Sequence, residues 1–194
     1  MKILVERLDT TPRAHHFAVD ERWWDGVLEG ADRESVRHLD GLQFDVSAYK
    51  MGDDLLLTGS LRADVELECS RCLSRYRHAL REAFRLLLEP AADRTPSDPE
   101  GAASLSRVGV WLGDDLEAGW YRGPEIDLEP FCRELVVLAL PVQPLCQENC
   151  RGLCPQCGAD RNAAPCGCVE PVAVSPFAVL APLRDRLRGS KGDS

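Results

Sequence analysis

The chain of 194 residues carries 23 Lys+Arg against 32 Asp+Glu, for a formal net charge of −9, with 44% hydrophobic residues and nine cysteines. That length can bury a core without disulfides or metal, yet is short for two full domains, so one main domain with a small appendage is expected. The longest apolar run, residues 135–142, is eight residues long and includes Pro141, well short of the ~20 that cross a bilayer. Glu6, Arg7 and Asp9 follow the first five residues, so no apolar signal segment forms there. A cytoplasmic location with no membrane partner is the expectation, and there paired cysteines are metal ligands more often than disulfides.

Residues 1–68 read as antiparallel strands. Ile3, Val5 and Leu8 alternate with polar neighbours, as do Leu42, Phe44, Val46 and Ala48. Leu61, Ala63, Val65, Leu67 and Cys69 share one parity after the turn at Gly52 and Asp53. Period-two patterns between Gly/Asp turns indicate strands. Residues 33–39 read as a short helix. Residues 76–88 read as a further strand, although Leu80, Phe84 and Leu87 also fall at helical spacing. Residues 90–107 hold Pro90, Pro96 and Pro99 and little to bury, which predicts a mobile loop. Short strands resume around Val108, Val110 and Trp111.

The clearest helix is expected at 128–140. Asp127 is the N-cap, Pro130 fits the first turn, and Leu128, Phe131, Leu135, Leu138 and Ala139 form the apolar face. Pro141 ends it. Residues 146–168 are rich in Gly, Pro and Cys. Residues 177–183, bracketed by Pro176 and Pro182, form a short apolar element that packs back or anchors a partner.

The cysteines carry the sharpest signal. Cys154-Pro-Gln-Cys157-Gly158 has the spacing at which two thiolates can hold one ion, provided the chain turns tightly; Gly158 permits the positive φ such a turn needs. Cys166 and Cys168 supply two more sulfurs, so Cys154, Cys157, Cys166 and Cys168 fit one tetrahedral zinc site. Cys69-Ser-Arg-Cys72 and Cys146-x-x-x-Cys150 each lack partners of their own. If they converge, Cys69, Cys72, Cys146 and Cys150 form a second four-sulfur site joining distant parts of the chain. The alternatives are a redox Cys-x-x-Cys at Cys69 and Cys72, its thiol activated by Arg71 and Arg75, and an iron–sulfur cluster. Cys132 reads as a small buried hydrophobe. His15, His16, His38 and His78 lie in no recognisable nucleophile motif, and no phosphate-binding glycine loop is present.

Charge is unevenly placed. Residues 1–68 carry 8 basic and 15 acidic groups, residues 69–85 five arginines and one Glu, and residues 86–134 four basic and 11 acidic groups. If 76–88 is a strand, Arg75, Arg77, Arg81 and Arg85 lie on one face, which either touches phosphate or is a solvated face neutralised by acids. The acidic parts suit a basic protein partner.

Several motifs in combination resemble the YceD family of large ribosomal RNA subunit accumulation proteins. They are Cys69-Ser-Arg-Cys72-Leu73, the Asp127-Leu helix ending Leu138-Ala-Leu-Pro141, the run from Cys146 through Cys150-Arg-Gly-Leu-Cys154 to Asn162, and Ser175-Pro-Phe-Ala-Val-Leu180. The resemblance implies a non-catalytic factor supporting 23S rRNA accumulation or processing in large-subunit assembly. It also supports a site at Cys69, Cys72, Cys146 and Cys150. Its partners would be pre-ribosomal RNA or a basic ribosomal protein, with no small-molecule substrate. RNA or partner contact is assigned to Arg71, Arg75, Arg77, Arg81 and Arg85, and one or two structural zinc ions to the cysteines. The rival readings are a thiol-redox or RNA-processing enzyme, and a zinc-ribbon adaptor for other nucleic acids. The expected architecture is α+β: an antiparallel, barrel-like β domain with one main helix over 1–142, a Cys-rich zinc segment at 143–170, and an apolar tail with a charged end at 171–194.

Overall fold

The computed structural model describes residues 1–27, 36–113 and 116–168. It divides into two compact units, 1–150 and 151–194. The first unit is built on three long strands, β3 (Val36–Met51), β4 (Asp54–Glu68) and β5 (Arg75–Pro90), paired antiparallel in chain order. Before them come β1 (Lys2–Leu4), β2 (Arg13–Ala18) and α1 (Glu21–Val27). After them come α2 (Pro99–Val108), β6 (Val110–Leu112), β7 (Ala118–Tyr121), β8 (Glu125–Asp127) and α3 (Glu129–Ala139). The main sheet has the order β2-β3-β4-β5-β7-β6, and β1 pairs with β8 in a separate two-stranded sheet.

Alternation along much of the long strands gives the sheet one largely apolar face. Phe44, Val46 and Ala48 on β3, Leu57, Leu61, Ala63, Val65 and Leu67 on β4, and Leu80, Leu86 and Leu88 on β5 are buried together. The doubtful segment at 76–88 is therefore a strand: Leu80, Phe84, Leu86 and Leu88 share a parity, and that face is the one covered. Helix α3 lies on it, with Phe131 edge-on to Phe84 at 5.1 Å between ring centroids. Gly59 lies on β4 between Val46 of β3 and Phe84 of β5. A Cβ there would collide with the Asp45 carbonyl oxygen and the Phe84 ring.

The expected barrel is an open sheet. Its end strands, β2 and β6, are short and do not pair with each other. Helix α3, α1 and the β1–β8 pair, not a closing strand, pack against the apolar face, so closure is unnecessary. One pairing is also parallel: β5 runs beside β7 through 87–90 and 118–121, because the chain returns through α2 before forming β6 and β7, and parallel neighbours need such a long connection. Besides the expected main helix α3, the described residues contain α1, α2 and a 3-10 turn at Val5–Arg7. The short helix expected at 33–39 does not form at its described end: residues 36–39 begin β3, with Val36 opposite Leu67, and 33–35 lie outside the described residues, as does the tail at 169–194.

Part of the loop expected at 90–107 is helix α2. Asp98 is its N-cap and accepts a hydrogen bond from the Gly101 N–H, Pro99 occupies the first turn where no donor is lost, and Gly109 ends the helix at φ 74°. Leu105 is its buried anchor. Helix α3 matches expectation in position, with a shifted face. Leu128, Phe131, Cys132 and Val136 are buried, while Leu138 is 65% exposed. A stripe at 128, 131, 132, 135, 136 and 139 follows the 3.6-residue period, and Leu138 falls off it. Leu128 takes the cap position, and Asp127 Oδ1 instead accepts from the Glu129 N–H at 3.0 Å. Burial pushes the Cys132 thiol up to about 12, in keeping with a core residue. No helix among the described residues is long and apolar enough to cross a membrane.

Replacing Asp98 by Ala should cost about 1 kcal/mol, the usual loss at an N-cap, and denaturant unfolding will read it. An unchanged midpoint would mean that Pro99 and Gly109 alone set α2.

Candidate metal centres

Strands β4 and β5 are joined by residues 69–74, and this turn is built like a metal knuckle. The Cys69 N–H donates to the Ser74 carbonyl at 2.9 Å and the Leu73 N–H to the Cys69 carbonyl at 2.9 Å. Leu73 adopts φ 59°, a left-handed conformation that L-residues disfavour. The turn brings the Cys69 and Cys72 sulfurs to one side. Residues 144–150 come against it: the Ser70 N–H donates to the Pro144 carbonyl at 2.9 Å, and Arg71 Nη1 donates to the Cys150 carbonyl at 2.9 Å.

These contacts set four sulfurs together. Cys69 Sγ lies 3.8 Å from Cys150 Sγ, Cys72 Sγ lies 3.6 Å from Cys146 Sγ, and all four lie within 4.8 Å of one another. A tetrahedron with Zn–S bonds of ~2.3 Å has edges of about 3.8 Å, so the spacing suits one ion. It is far too long for a disulfide bond. Cys69, Cys72 and Cys150 are buried, and Ser74 Oγ sits 2.9 Å from Cys72 Sγ as an outer partner.

The second unit repeats the device. The Cys154 N–H donates to the Ala159 carbonyl at 2.8 Å and the Gly158 N–H to the Cys154 carbonyl at 2.9 Å. The pattern is that of Cys69–Ser74, residue for residue, with Gly158 at φ 72° in the place of Leu73. A bridge pairs Leu153 with Asp160, and Asp160 Oδ1 accepts from the backbone and side-chain N–H groups of Asn162 at 2.9 and 2.8 Å. Asn162 Oδ1 in turn accepts from the Arg151 N–H at 2.8 Å. Cys154, Cys157, Cys166 and Cys168 again have sulfurs within 4.8 Å of one another, with Cys157 exposed. Both groups of four expected from spacing are thus brought together, and both could hold a metal ion.

Ionisation favours a cation in each. Burial resists the charge on Cys69, but N–H groups of Cys146, Cys72 and Arg71 outweigh it and lower the thiol to about 6. N–H groups of Cys157 and Gln156 lower Cys154 to about 6. The last thiols resist: burial and the adjoining sulfurs push Cys146 up to about 12, and hydrogen bonds to Cys157 and Cys154 do the same for Cys168. Four thiolates repel one another, and a divalent ion among them removes that penalty.

Arg75, Arg77, Arg81 and Arg85 alternate along β5 on the face opposite the core, all exposed. Acids from β4 meet most of them: Arg75 Nη1 lies 3.3 Å from Glu66, Arg77 Nη2 lies 3.0 Å from Asp64, and Arg81 Nη2 lies 3.4 Å from Asp64. The Arg77 hydrogen bond holds the Asp64 carboxyl below its ordinary value. Arg85 has no ion pair among the described residues. Arg71 is not on this face and braces the first knuckle. Arg62, which the sequence pattern alone did not single out, stands between Gln43 and Arg81 in register across three strands. Gln43, Arg62, Asp64 and Arg81 line a cavity of about 270 Å³. The signal for Arg62 is parity on β4, where it falls on the polar side of a clear alternation. His16 Nδ1 pairs with Asp45 at 2.7 Å, and no hydroxyl or thiol among the described residues is hydrogen-bonded to it.

Residues 57–184 match the family described as Large ribosomal RNA subunit accumulation protein YceD. A protein of Mycobacterium tuberculosis is 30% identical over 156 residues, which cover 77% of this chain and 67% of that relative. A protein of Arabidopsis thaliana named Large ribosomal RNA subunit accumulation protein YCED homolog 1, chloroplastic, is 27% identical over 165 residues, 78% of this chain and 51% of its own length. The protein of that name from Zea mays is 29% identical over 131 residues, 59% of this chain and 44% of its own length. No solved structure matches.

The two knuckles differ at one informative position. Replacing Gly158 by Ala should strain the second by about 1–2 kcal/mol through φ alone, since the space around it is open. Faster loss of metal to a chelator reads it. Replacing Leu73 by Gly relieves the same strain in the first, at about 0.5–1 kcal/mol of added chain entropy, and should leave stability unchanged or slightly raised. A large drop in stability would mean that the Leu73 side chain contributes packing.

Proposed function

Since the chain belongs to the YceD family, we propose that it is a non-catalytic factor in biogenesis of the large ribosomal subunit, supporting accumulation or processing of 23S rRNA. The observation that carries this reading is the extent of the family match, which spans every cysteine of both clusters and the whole of β5. The plant relatives bear the same description in their names.

Zinc is the proposed ion, in a structural role. Four sulfurs at single-ion spacing leave no position for a reactive water, and four-coordinate thiolate sites of this kind are structural. A cluster of several irons would hold the sulfurs further apart. The lowered Cys69 thiol favours one second reading, a thiol-redox enzyme. Against it, Cys69 is fully buried, and it lies in a β-turn with three other sulfurs around it, where a redox pair would place its attacking thiol at an accessible helix N-terminus.

RNA contact is proposed for the outer face of the sheet, at Arg62, Arg81 and Arg85, with Arg75 and Arg77 beside them. Arg62 and Arg81 stand directly opposite each other, a like-charge pairing that is unfavourable by itself. Asp64 pairs with Arg81 and Arg77 but not with Arg62, and a phosphate at this row would offset both Arg62 and Arg81.

Elemental analysis should find about two zinc per chain, one for each cluster. Cys69→Ser should release one of them and lower the melting temperature markedly, because structural zinc contributes directly to folding. Rapid thiol labelling of Cys69 and Cys72 in the folded chain would favour the redox enzyme instead. Charge reversal of Arg62 and Arg85 should weaken binding to 23S rRNA fragments and reduce the log–log salt slope by about 1 for each phosphate that is no longer neutralised. An unaltered slope would remove this face from the RNA-binding surface.

A further inference from the structure

The outer face of the main sheet changes character toward β7 and β6. Past Arg85, the outward positions of β5 are Leu87 and Glu89, and β7 sets Ala118 and Trp120 beside them. Trp111 on β6 stands opposite Trp120, with ring centroids 4.6 Å apart and planes inclined at 41°. Leu87, Glu89, Ala118 and the two indoles line a cavity of about 390 Å³, and Gly113 and Gly119 keep its walls low. The Trp111 indole packs directly on Gly101 of α2, where a Cβ would collide with its Nε1.

This surface already seats one guanidinium. Arg94 lies over the Trp120 ring at 4.5 Å from its centroid. Its Nη1 pairs with Glu89 Oε2 at 2.9 Å, and its Nη2 donates to the Pro90 carbonyl at 2.6 Å. An indole, a carboxylate and carbonyl oxygens are the groups that favour a flat, weakly hydrated cation. Arg94 is not among the residues lining the cavity, so its seat and the open space share Trp120 and Glu89 without coinciding. The segment around them is strongly acidic: residues 86–134 carry 11 acidic and four basic groups. That field repels phosphate and attracts a polycation.

We propose that the Trp111–Trp120 cavity docks an arginine-bearing segment of a basic protein partner. An incoming guanidinium stacks on an indole and meets the Glu89 carboxylate, while the acidic charge of residues 86–134 favours a polycationic segment. The proposal rests on the ribosome-related reading only for what supplies the segment; the chemistry of the cavity stands apart from it.

The test titrates the full chain with an oligo-arginine peptide, an oligo-lysine peptide and oligo-uridine RNA, reading the indole N–H signals by NMR. Oligo-arginine should move the Trp111 and Trp120 signals and leave Trp23 and Trp24 in place. Oligo-lysine should bind more weakly, lacking a plane to stack. Trp120→Leu should weaken oligo-arginine binding by about tenfold, and the exposed Glu89→Gln by a few-fold, with unchanged Trp23 and Trp24 signals as the check that the core stays folded. Unmoved indoles, or equal affinity in both variants, would overturn the proposal. Oligo-uridine moving the same two indoles with higher affinity would assign the cavity to RNA and overturn it too. If oligo-arginine fails while Arg62 and Arg85 still govern RNA binding, the cavity proposal falls and the ribosomal reading stands.

Discussion

Four sulfurs drawn from two distant stretches of the first unit meet at the turn between β4 and β5. Cys69 and Cys150 are 81 residues apart, and Cys72 and Cys146 are 74 apart. Closing a loop of that length costs about 4 kcal/mol of chain entropy. Structural zinc in such sites contributes roughly 10–16 kcal/mol, so an ion at this cluster outweighs the closure. The consequence reaches beyond the knuckle. The turn fixes the register of β4 against β5 from Glu68 and Arg75 onward, and that register decides which side chains face the core and which face out. A slip of one residue would turn every arginine of β5 inward.

Given that register, the sheet divides its labour by face. The inner face is largely apolar and is covered by α3 together with α1 and the β1–β8 pair. The outer face is charged, and its arginines are largely met by Asp64 and Glu66 on the neighbouring strand. Exposed ion pairs of this kind contribute little to stability. Their effect is on the field: they leave Arg62 and Arg85 as the less compensated charges, in a chain whose net charge is otherwise acidic. Under the proposed RNA contact, such a surface would engage phosphate locally and not over its whole extent.

Much of this is legible in the sequence, for a physical reason. Strand alternation and Cys spacing are local patterns, and both survive folding unchanged: Phe44, Val46 and Ala48 are buried as their parity requires, and Cys154-Pro-Gln-Cys157-Gly158 turns as its glycine permits. What is not legible depends on partners elsewhere. Helix α2 carries a proper cap in Asp98, Pro99 and Gly109, but three prolines within 90–99 make the stretch read as a loop, although a proline in the first turn costs a helix nothing. The barrel fails because sheet closure is decided by what covers the edges and the face, which no strand pattern records. Leu138 falls on the wrong side of α3 when five apolar residues are read as one stripe, while the stripe that packs includes Cys132 and Val136. Leu73 carries no signal as a left-handed residue; only its place after a second cysteine, matched by Gly158, reveals it.

The matched knuckles bear on how the two clusters differ in use. In the first, a strained Leu73 stands where glycine would be free of strain, and the surrounding contacts (the Pro144 carbonyl, the Arg71 bond to Cys150, the full burial of Cys69) hold the turn in spite of it. That knuckle is over-determined by the sheet it closes. The second has Gly158 and an exposed Cys157, and its turn is supported by the Asp160–Asn162–Arg151 hydrogen bonds of its own short segment. Its geometry would therefore depend more on a bound ion. Loss of metal should loosen the second cluster first, while β4 and β5 still hold the backbone of the first in place.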